Sequence, residues 1–211
     1  MTRRRNDAMP ACPFLYPILD SAFSDDLIRD GRTLLRAGVG IFQIRAKNLT
    51  KRRIYEIAED LAPACLEAGV LMIINDLVDV VLVSAASGVH LGQEDFPVTE
   101  ARKILPDKII GISTHNLQQF FAALPLPVGY IAIGPIYETG TKNAAGPAVG
   151  VEFLHKVRPL TKTPLVCIGG INKDHIPGLV AGGADGIAVV SALYDGNLYE
   201  SVSRLLERIR P

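Results

Sequence analysis

Eight short apolar runs recur along the chain: FLYPIL from Phe14, GIFQIR from Gly40, VLMIIN from Val70, GVHLG from Gly88, KIIGIS from Lys108, YIAIG from Tyr130, PLVCIG from Pro164 and GIAVVS from Gly186. Each is brief, nearly continuous in apolar character and rich in β-branched or small residues, the composition of a strand buried on both faces. Helical patterns lie between them. Ser24 stands as a cap before DDLIRDGRTLLRAG, and Thr50 before a stretch in which Ile54, Ile57, Ala58, Leu61 and Cys65 repeat at i, i+3, i+4, i+7 and i+11 until Gly69 stops it. Asn116, Asn172 and Asn197 offer caps for later helices. Buried strands alternating with helices imply a parallel sheet covered by helices, and eight such units predict a single (β/α)8 TIM barrel. An open doubly wound sheet is the runner-up. It is disfavoured because no G-x-G-x-x-G opens the first helix and eight units fit a closed barrel better.

The size agrees with one domain. A chain of 211 residues, about half of them apolar, can bury one large core. Twenty-two basic residues balance 22 acidic ones, interspersed along the chain, so no basic face of the kind that binds nucleic-acid backbones is expected. Cys12, Cys65 and Cys167 lie far apart without a C-x-x-C spacing. They read as small core residues in a reducing compartment, and a cytoplasmic location follows. The start, MTRRRNDAMPACPFLYPILD, has a basic beginning, but its apolar part is short, broken by Pro10, Pro13 and Pro17, and ends in Asp20. It is expected to be a poorly ordered tail over residues 1–13, ahead of a barrel domain over 14–211. No apolar run approaches the roughly 20 residues that span a bilayer, so a soluble protein is expected.

In barrels of this type the chemistry sits at the C-terminal ends of the strands, and here those ends are polar. After the second run come Gln43, Arg45 and Lys47; after the third, Asn75 and Asp76; after the fourth, Gln93 and Asp95; after the fifth, Ser113 and His115. The alternation of a strand puts Gln43, Arg45 and Lys47 on one face, aimed into the barrel mouth. Arg supplies a bidentate fork and Lys a point charge, so the triplet points to an anion. Asp76 and Asp95, taken singly, read equally well as helix caps. Together, on adjacent strand ends beside Arg and Lys, they suit one hard cation such as Mg2+, which binds through one or two carboxylates and completes its shell with water and phosphate oxygens.

The sixth run opens into GPIYETGTKNAAGPAVG, a loop long enough to be functional or disordered, in which Thr139, Thr141 and Lys142 place two hydroxyls and a cation beside Gly140. It is expected to be mobile when empty and to close over bound substrate. GGI at 169–171 and VVS at 189–191 follow runs seven and eight, where barrels frequently build a phosphate site from backbone N–H groups.

QIRAK, INDLVDVVLVSAASGVHLGQED, GISTH, GPIYETGTK, IGGIN and ADGIAVVSAL, in this order and spacing, resemble the thiamine phosphate synthases, and the likeness runs from about residue 14 to residue 195. The resemblance implies a Mg2+-dependent transferase of thiamine biosynthesis. It would join 4-amino-2-methyl-5-(diphosphomethyl)pyrimidine to 4-methyl-5-(2-phosphoethyl)thiazole, releasing diphosphate. By the same resemblance Gln43, Arg45, Lys47, Asn75, Ser113 and Lys142 would hold the pyrimidine diphosphate, and Asp76 and Asp95 the Mg2+. Arg45, Lys47, Ser113 and Lys142 would be the catalytic set. Thr139, Gly140, Thr141, Gly170, Val190 and Ser191 would hold the thiazole phosphate. The partners implied are small molecules only, and a homo-oligomer is compatible with it.

Two departures from the family pattern stand out: Ala46 replaces an acid between Arg45 and Lys47, and Glu138 replaces a proline ahead of Thr139. Other readings are a thiazole tautomerase-like relative, with His115 as its base and His90 buried in its strand, and a non-catalytic thiamine-phosphate-binding protein. A phosphate-sugar isomerase on a related barrel is a weaker third.

Overall fold

A computed structural model describes residues 9–140 and 147–209. Its strands are β1 (Phe14–Asp20), β2 (Ile41–Arg45), β3 (Leu71–Asn75), β4 (Gly88–Leu91), β5 (Ile109–Thr114), β6 (Tyr130–Ile133), β7 (Leu165–Ile168) and β8 (Gly186–Val189). The helices that follow them are α1 (Leu27–Ala37), α2 (Lys51–Ala68), α3 (Val78–Val83), α4 (Val98–Ile104), α5 (Leu117–Ala123), α6 (Val151–Val157), α7 (Ile176–Ala181) and α8 (Leu198–Ile209). The strands form a closed parallel barrel in sequence order, and β1 returns to pair with β8 through Phe14↔Gly186 and Tyr16↔Ala188. All eight apolar runs became strands, and the expected (β/α)8 barrel is the fold.

The period of two along each strand sorts side chains between two cores. Tyr16 and Ile18 of β1, Ile73 of β3, Tyr130 of β6 and Val166 of β7 fill the barrel interior. Their neighbours Leu15, Leu19, Phe42, Ile44, Met72 and Ile74 point outward and bury the apolar faces of the helices. Ile44 is 1% exposed, and truncating such a side chain to Ala costs about 2–5 kcal/mol through lost transfer energy and the cavity left behind.

Local signals set the helix ends. Thr50 caps α2, its hydroxyl accepting from the Arg53 N–H at 3.2 Å, and Gly69 ends the helix in the left-handed region at φ 67°. Asn116 caps α5 by accepting from Gln119 N at 2.9 Å, and Asn197 accepts from Tyr199 N at 3.0 Å where α8 begins. Asn172 accepts from Asp174 N at 2.9 Å and closes a turn ahead of α7, which starts only at Ile176. The cap of α1 is Asp26, which accepts from Arg29 N at 3.0 Å. Ser24 instead accepts from Asp26 N at 3.2 Å, because the helix starts two residues later than expected.

Cys65 and Cys167 are buried, and burial pushes both thiols up to about 12. Cys12 is exposed rather than part of the core, since it precedes β1 and lies outside both clusters. Of the expected tail, residues 1–8 lie outside the described residues, while Met9 packs against the interior cluster. Among the described residues no helix is long and apolar enough to cross a membrane.

Candidate active site

At the C-terminal face of the barrel the strand ends surround one cleft open to solvent, the kind of concavity in which small molecules bind. Of the residues singled out from sequence, Gln43, Arg45, Asn75, Asp76, Ser113, Thr139, Gly170, Val190 and Ser191 line it. Lys47, Asp95 and Gly140 do not. Thr141 and Lys142 lie outside the described residues, as does part of the loop that was expected to close.

The inward face of β2 carries Gln43, 2% exposed, and Arg45. The strand stops at Arg45, so its alternation does not carry Lys47 into the mouth as expected. The Lys47 side chain is 58% exposed and reaches inward from the rim to ion-pair with Asp76. Arg45 is held from its other side by Asp20, the last residue of β1. Asp20 is 1% exposed and also accepts from Ala22 N at 2.9 Å.

Asp76 sits at φ 64°, a left-handed backbone that is uncommon for a non-glycine residue. Its N–H donates to the His90 carbonyl at 2.8 Å, which ties the end of β3 to β4 in that geometry. Asp95 accepts from Gly92 N at 2.7 Å. Burial raises its carboxyl above the usual range, and the adjacent Asp76 carboxyl adds to the rise. Two acids held together, with one lysine answering them, make an oxygen-donor set suited to a hard divalent cation. Among the described residues no group of three His, Cys, Asp or Glu side chains is placed to hold an ion alone, so this pair would need water and phosphate oxygens to complete a Mg2+ shell.

The opposite wall is mostly backbone. The outgoing limb of the β6–α6 loop is pinned to the end of β7 by Ile136 N→Ile168 O at 2.8 Å and Tyr137 N→Gly169 O at 3.0 Å, and the returning limb is tied to the outgoing one by Val149 N→Pro135 O at 2.8 Å. Gly170 lies at φ 62°, and a Cβ there would stand 2.5 Å from the Glu138 carbonyl. After β8 a short 3-10 turn, Ser191–Tyr194, begins at the cavity edge. This is the place expected for a backbone phosphate cradle.

Sequence reasoning passed over Tyr16, Asp20 and His90, which also line the cleft. Asp20 carried the same signal as Asp76, an acid ending an apolar run. His90 was read as buried in its strand. It is 8% exposed, yet its Nε2 lies 2.8 Å from the Ser113 hydroxyl. His115 lines the cleft too, and its Nδ1 lies 2.6 Å from the Gly134 carbonyl, which can only accept.

Comparison with known proteins places these features in a lineage. A family model described as thiamine monophosphate synthase matches residues 15–193. The thiamine-phosphate synthase of Syntrophomonas wolfei is 38% identical over 198 residues, covering 92% of this chain and 95% of that protein. The one from Chloroflexus aurantiacus is 37% identical over 199 residues, covering 92% and 91%. Among solved structures, a thiamine phosphate pyrophosphorylase from Pyrococcus furiosus superposes with a TM-score of 0.85 at 32% identity, covering 97% of this chain and 96% of that one. With the barrel, the matched length and these relatives in agreement, the chain belongs to the thiamine monophosphate synthase family.

Proposed function

We propose that this chain is a Mg2+-dependent thiamine phosphate synthase, an alkyl transferase joining the pyrimidine diphosphate to the thiazole phosphate. The observation that carries the reading is the arrangement of two facing walls across one cleft, one of polar and charged side chains and one mostly of backbone, each suited to an anion. Gln43, Arg45, Asn75, Asp76 and Ser113 form one, and Thr139, Gly170, Val190 and Ser191 the other.

In this reading the methylene–oxygen bond of the pyrimidine substrate breaks and diphosphate leaves with the bonding electrons. The electron-rich aminopyrimidine delocalises the cation left behind, and the thiazole nitrogen captures it. The chain's part is electrostatic and geometric. Arg45 meets the departing charge from a fixed position, because Asp20 anchors its guanidinium. Lys47 brings a mobile charge from the rim, and Lys142 is assigned the same role by family resemblance. Gln43 and Ser113 orient the pyrimidine end. Thr139, Gly140 and Thr141 with the backbone at Gly170, Val190 and Ser191 hold the thiazole phosphate so that the ring nitrogen lies in line. When bound at Asp76 and Asp95, Mg2+ would neutralise diphosphate oxygens. No strong protein base is required. Small-molecule partners and a cytosolic setting belong to the same reading.

The tautomerase reading keeps one observation: His115 lines the cleft with its ring oriented by Gly134. Incubating the purified protein with both half-molecules, with and without Mg2+, separates the two. Thiamine phosphate and diphosphate forming in equal amounts, only with metal, is the expected outcome. Thiazole isomerisation without coupling would favour the second reading.

A further inference from the structure

In the floor of the cleft and the barrel interior just below it, five polar side chains from five strands form a continuous hydrogen-bonded chain. Gln43 Nε2 donates to the Tyr16 hydroxyl at 3.0 Å, and the Tyr16 and Tyr130 hydroxyls are 2.8 Å apart. The Tyr130 hydroxyl lies 2.8 Å from His90 Nδ1, and His90 Nε2 lies 2.8 Å from the Ser113 hydroxyl. The rest of this interior is apolar, with Ile73, Val166 and Ala188 in the same cluster. A polar chain among such residues is tolerated only if every member is satisfied, and satisfying every member makes all the bonds run one way, set by the end at which Gln43 donates.

The direction follows from proton counting. Burial pushes the Tyr16 and Tyr130 hydroxyls far above their ordinary values, so both keep their protons at neutral pH. Tyr16 accepts from Gln43, so its single proton goes to Tyr130. Tyr130 then sends its own proton to His90 Nδ1. A neutral imidazole that accepts at Nδ1 carries its proton on Nε2, and that proton goes to Ser113. One lone pair of the Ser113 oxygen is thereby taken, and its O–H, not spent within the chain, is left to donate toward the cleft that the residue lines.

The chain is also sterically prepared. Gly111 pairs with Tyr130 across β5 and β6, and a Cβ at Gly111 would stand 2.1 Å from the tyrosine ring and 2.4 Å from its hydroxyl. The ring reaches this position only over a glycine. His90 stacks on it at 5.5 Å and 14°, and Tyr16 meets it edge-on at 5.7 Å.

We propose that Gln43, Tyr16, Tyr130 and His90 form a directional relay that leaves the Ser113 O–H unspent and turned to the substrate as a hydrogen-bond donor, with His90 and Tyr130 as positioning residues. The relay favours a substrate atom that accepts at that point, an unprotonated ring nitrogen or a phosphate oxygen, over a group that donates, for which Ser113 keeps only its remaining lone pair. Reversing the Gln43 amide would reverse every step, put the His90 proton on Nδ1 and make Ser113 an acceptor, so amide orientation and tautomer are one variable.

The assignment of catalytic consequence rests on the proposed synthase reaction, but the polarity does not. Nitrogen-15 spectra of the substrate-free protein, with His90 assigned by loss of its signals in His90→Gln, should show the Nε2–H tautomer. An Nδ1–H tautomer or an imidazolium at neutral pH overturns the relay whatever the activity. For the consequence, Tyr130→Phe removes one oxygen from a residue outside the cavity wall and should lower kcat/KM for the pyrimidine substrate about tenfold. In a Ser113→Ala background it should change nothing beyond about twofold, because the relay then has no endpoint. Equal losses in both backgrounds mean the tyrosine is only structural. Should Tyr130→Phe fail to fold, His90→Gln, whose amide reaches the Nε2 position, should retain more activity than His90→Asn, which reaches only Nδ1. Equal activities overturn the proposal.

Discussion

Asp20 and Arg45 are register partners at the ends of β1 and β2, and their side chains form an ion pair with the carboxylate 2% and the guanidinium 19% exposed. The pairing holds a long, flexible cation in one place before any anion arrives, so less conformational entropy is lost on binding.

Removing the charge while keeping the shape should expose this. Asp20→Asn leaves Arg45 without its anchor, and the variant should lose about 1–3 kcal/mol of stability, below the full cost of a broken buried pair because Arg45 can still reach water. The Michaelis constant for the pyrimidine diphosphate should rise about tenfold or more as the guanidinium wanders. Chemical denaturation and steady-state kinetics measure the two effects, and an unchanged Michaelis constant would show that Arg45 needs no anchor.

The paired acids should carry an opposite signature, with function opposing stability. Asp95 has its carboxyl raised by burial first and by Asp76 second. A raised carboxyl contributes most to stability while protonated, and that contribution is lost as pH rises from the ordinary aspartate range through the raised value. In metal-free buffer near neutrality Asp95→Asn should therefore melt higher than the parent, and the difference should fade below the ordinary aspartate range. Adding Mg2+ should stabilise the parent and not the variant, and the variant's turnover should fall about 100-fold or more. A variant that melts lower than the parent without metal would remove the case for a strained acid pair.

The barrel was legible because buried strands and helices leave different periods in a sequence, and eight repeats of the alternation leave few other folds. The cleft was legible at strand ends, where a polar residue after an apolar run gains nothing from burial; Arg45, Asp76 and Ser113 were found that way. The interior relay was not. Tyr16, Tyr130 and His90 stand mid-strand, where an aromatic or a lone histidine looks like filling, and only closure of the barrel brings five strands' side chains within 3 Å of one another. For Lys47 only the route differed, since its side chain comes to Asp76 from the rim and not along the strand face. Alternation holds only while the strand lasts, and β2 ends at Arg45.

Lys142 tests whether charge is supplied to the ground state or to bond breaking. The diphosphate gains negative charge on its bridging oxygen only as the carbon leaves, so a cation placed for that moment contributes more to the transition state than to binding. Lys142→Ala should lower turnover about 100-fold or more, with at most a few-fold change in the diphosphate substrate's dissociation constant by calorimetry. Equal losses in binding and turnover would make it a simple anchor.

Gly170 sets how closely the β6–α6 limb can pack against the end of β7. Its φ of 62° is strained for any residue with a Cβ, and that Cβ would lie 2.5 Å from the Glu138 carbonyl and 2.8 Å from the Tyr137 Cβ. Both belong to the limb that β7 pins through Tyr137 N→Gly169 O, so Gly170→Ala must either break that pinning or push the limb away. The strain should lower stability by about 1–2 kcal/mol, the cost of an alanine at positive φ. The displacement should act more selectively, raising the Michaelis constant for the thiazole phosphate, whose proposed cradle includes Gly170 and the neighbouring Thr139, while leaving that for the pyrimidine diphosphate within about twofold. Kinetics with each substrate varied in turn distinguishes these. If the pyrimidine constant rises as much as the thiazole constant, Gly170 shapes the whole cleft and the two walls do not bind their substrates independently.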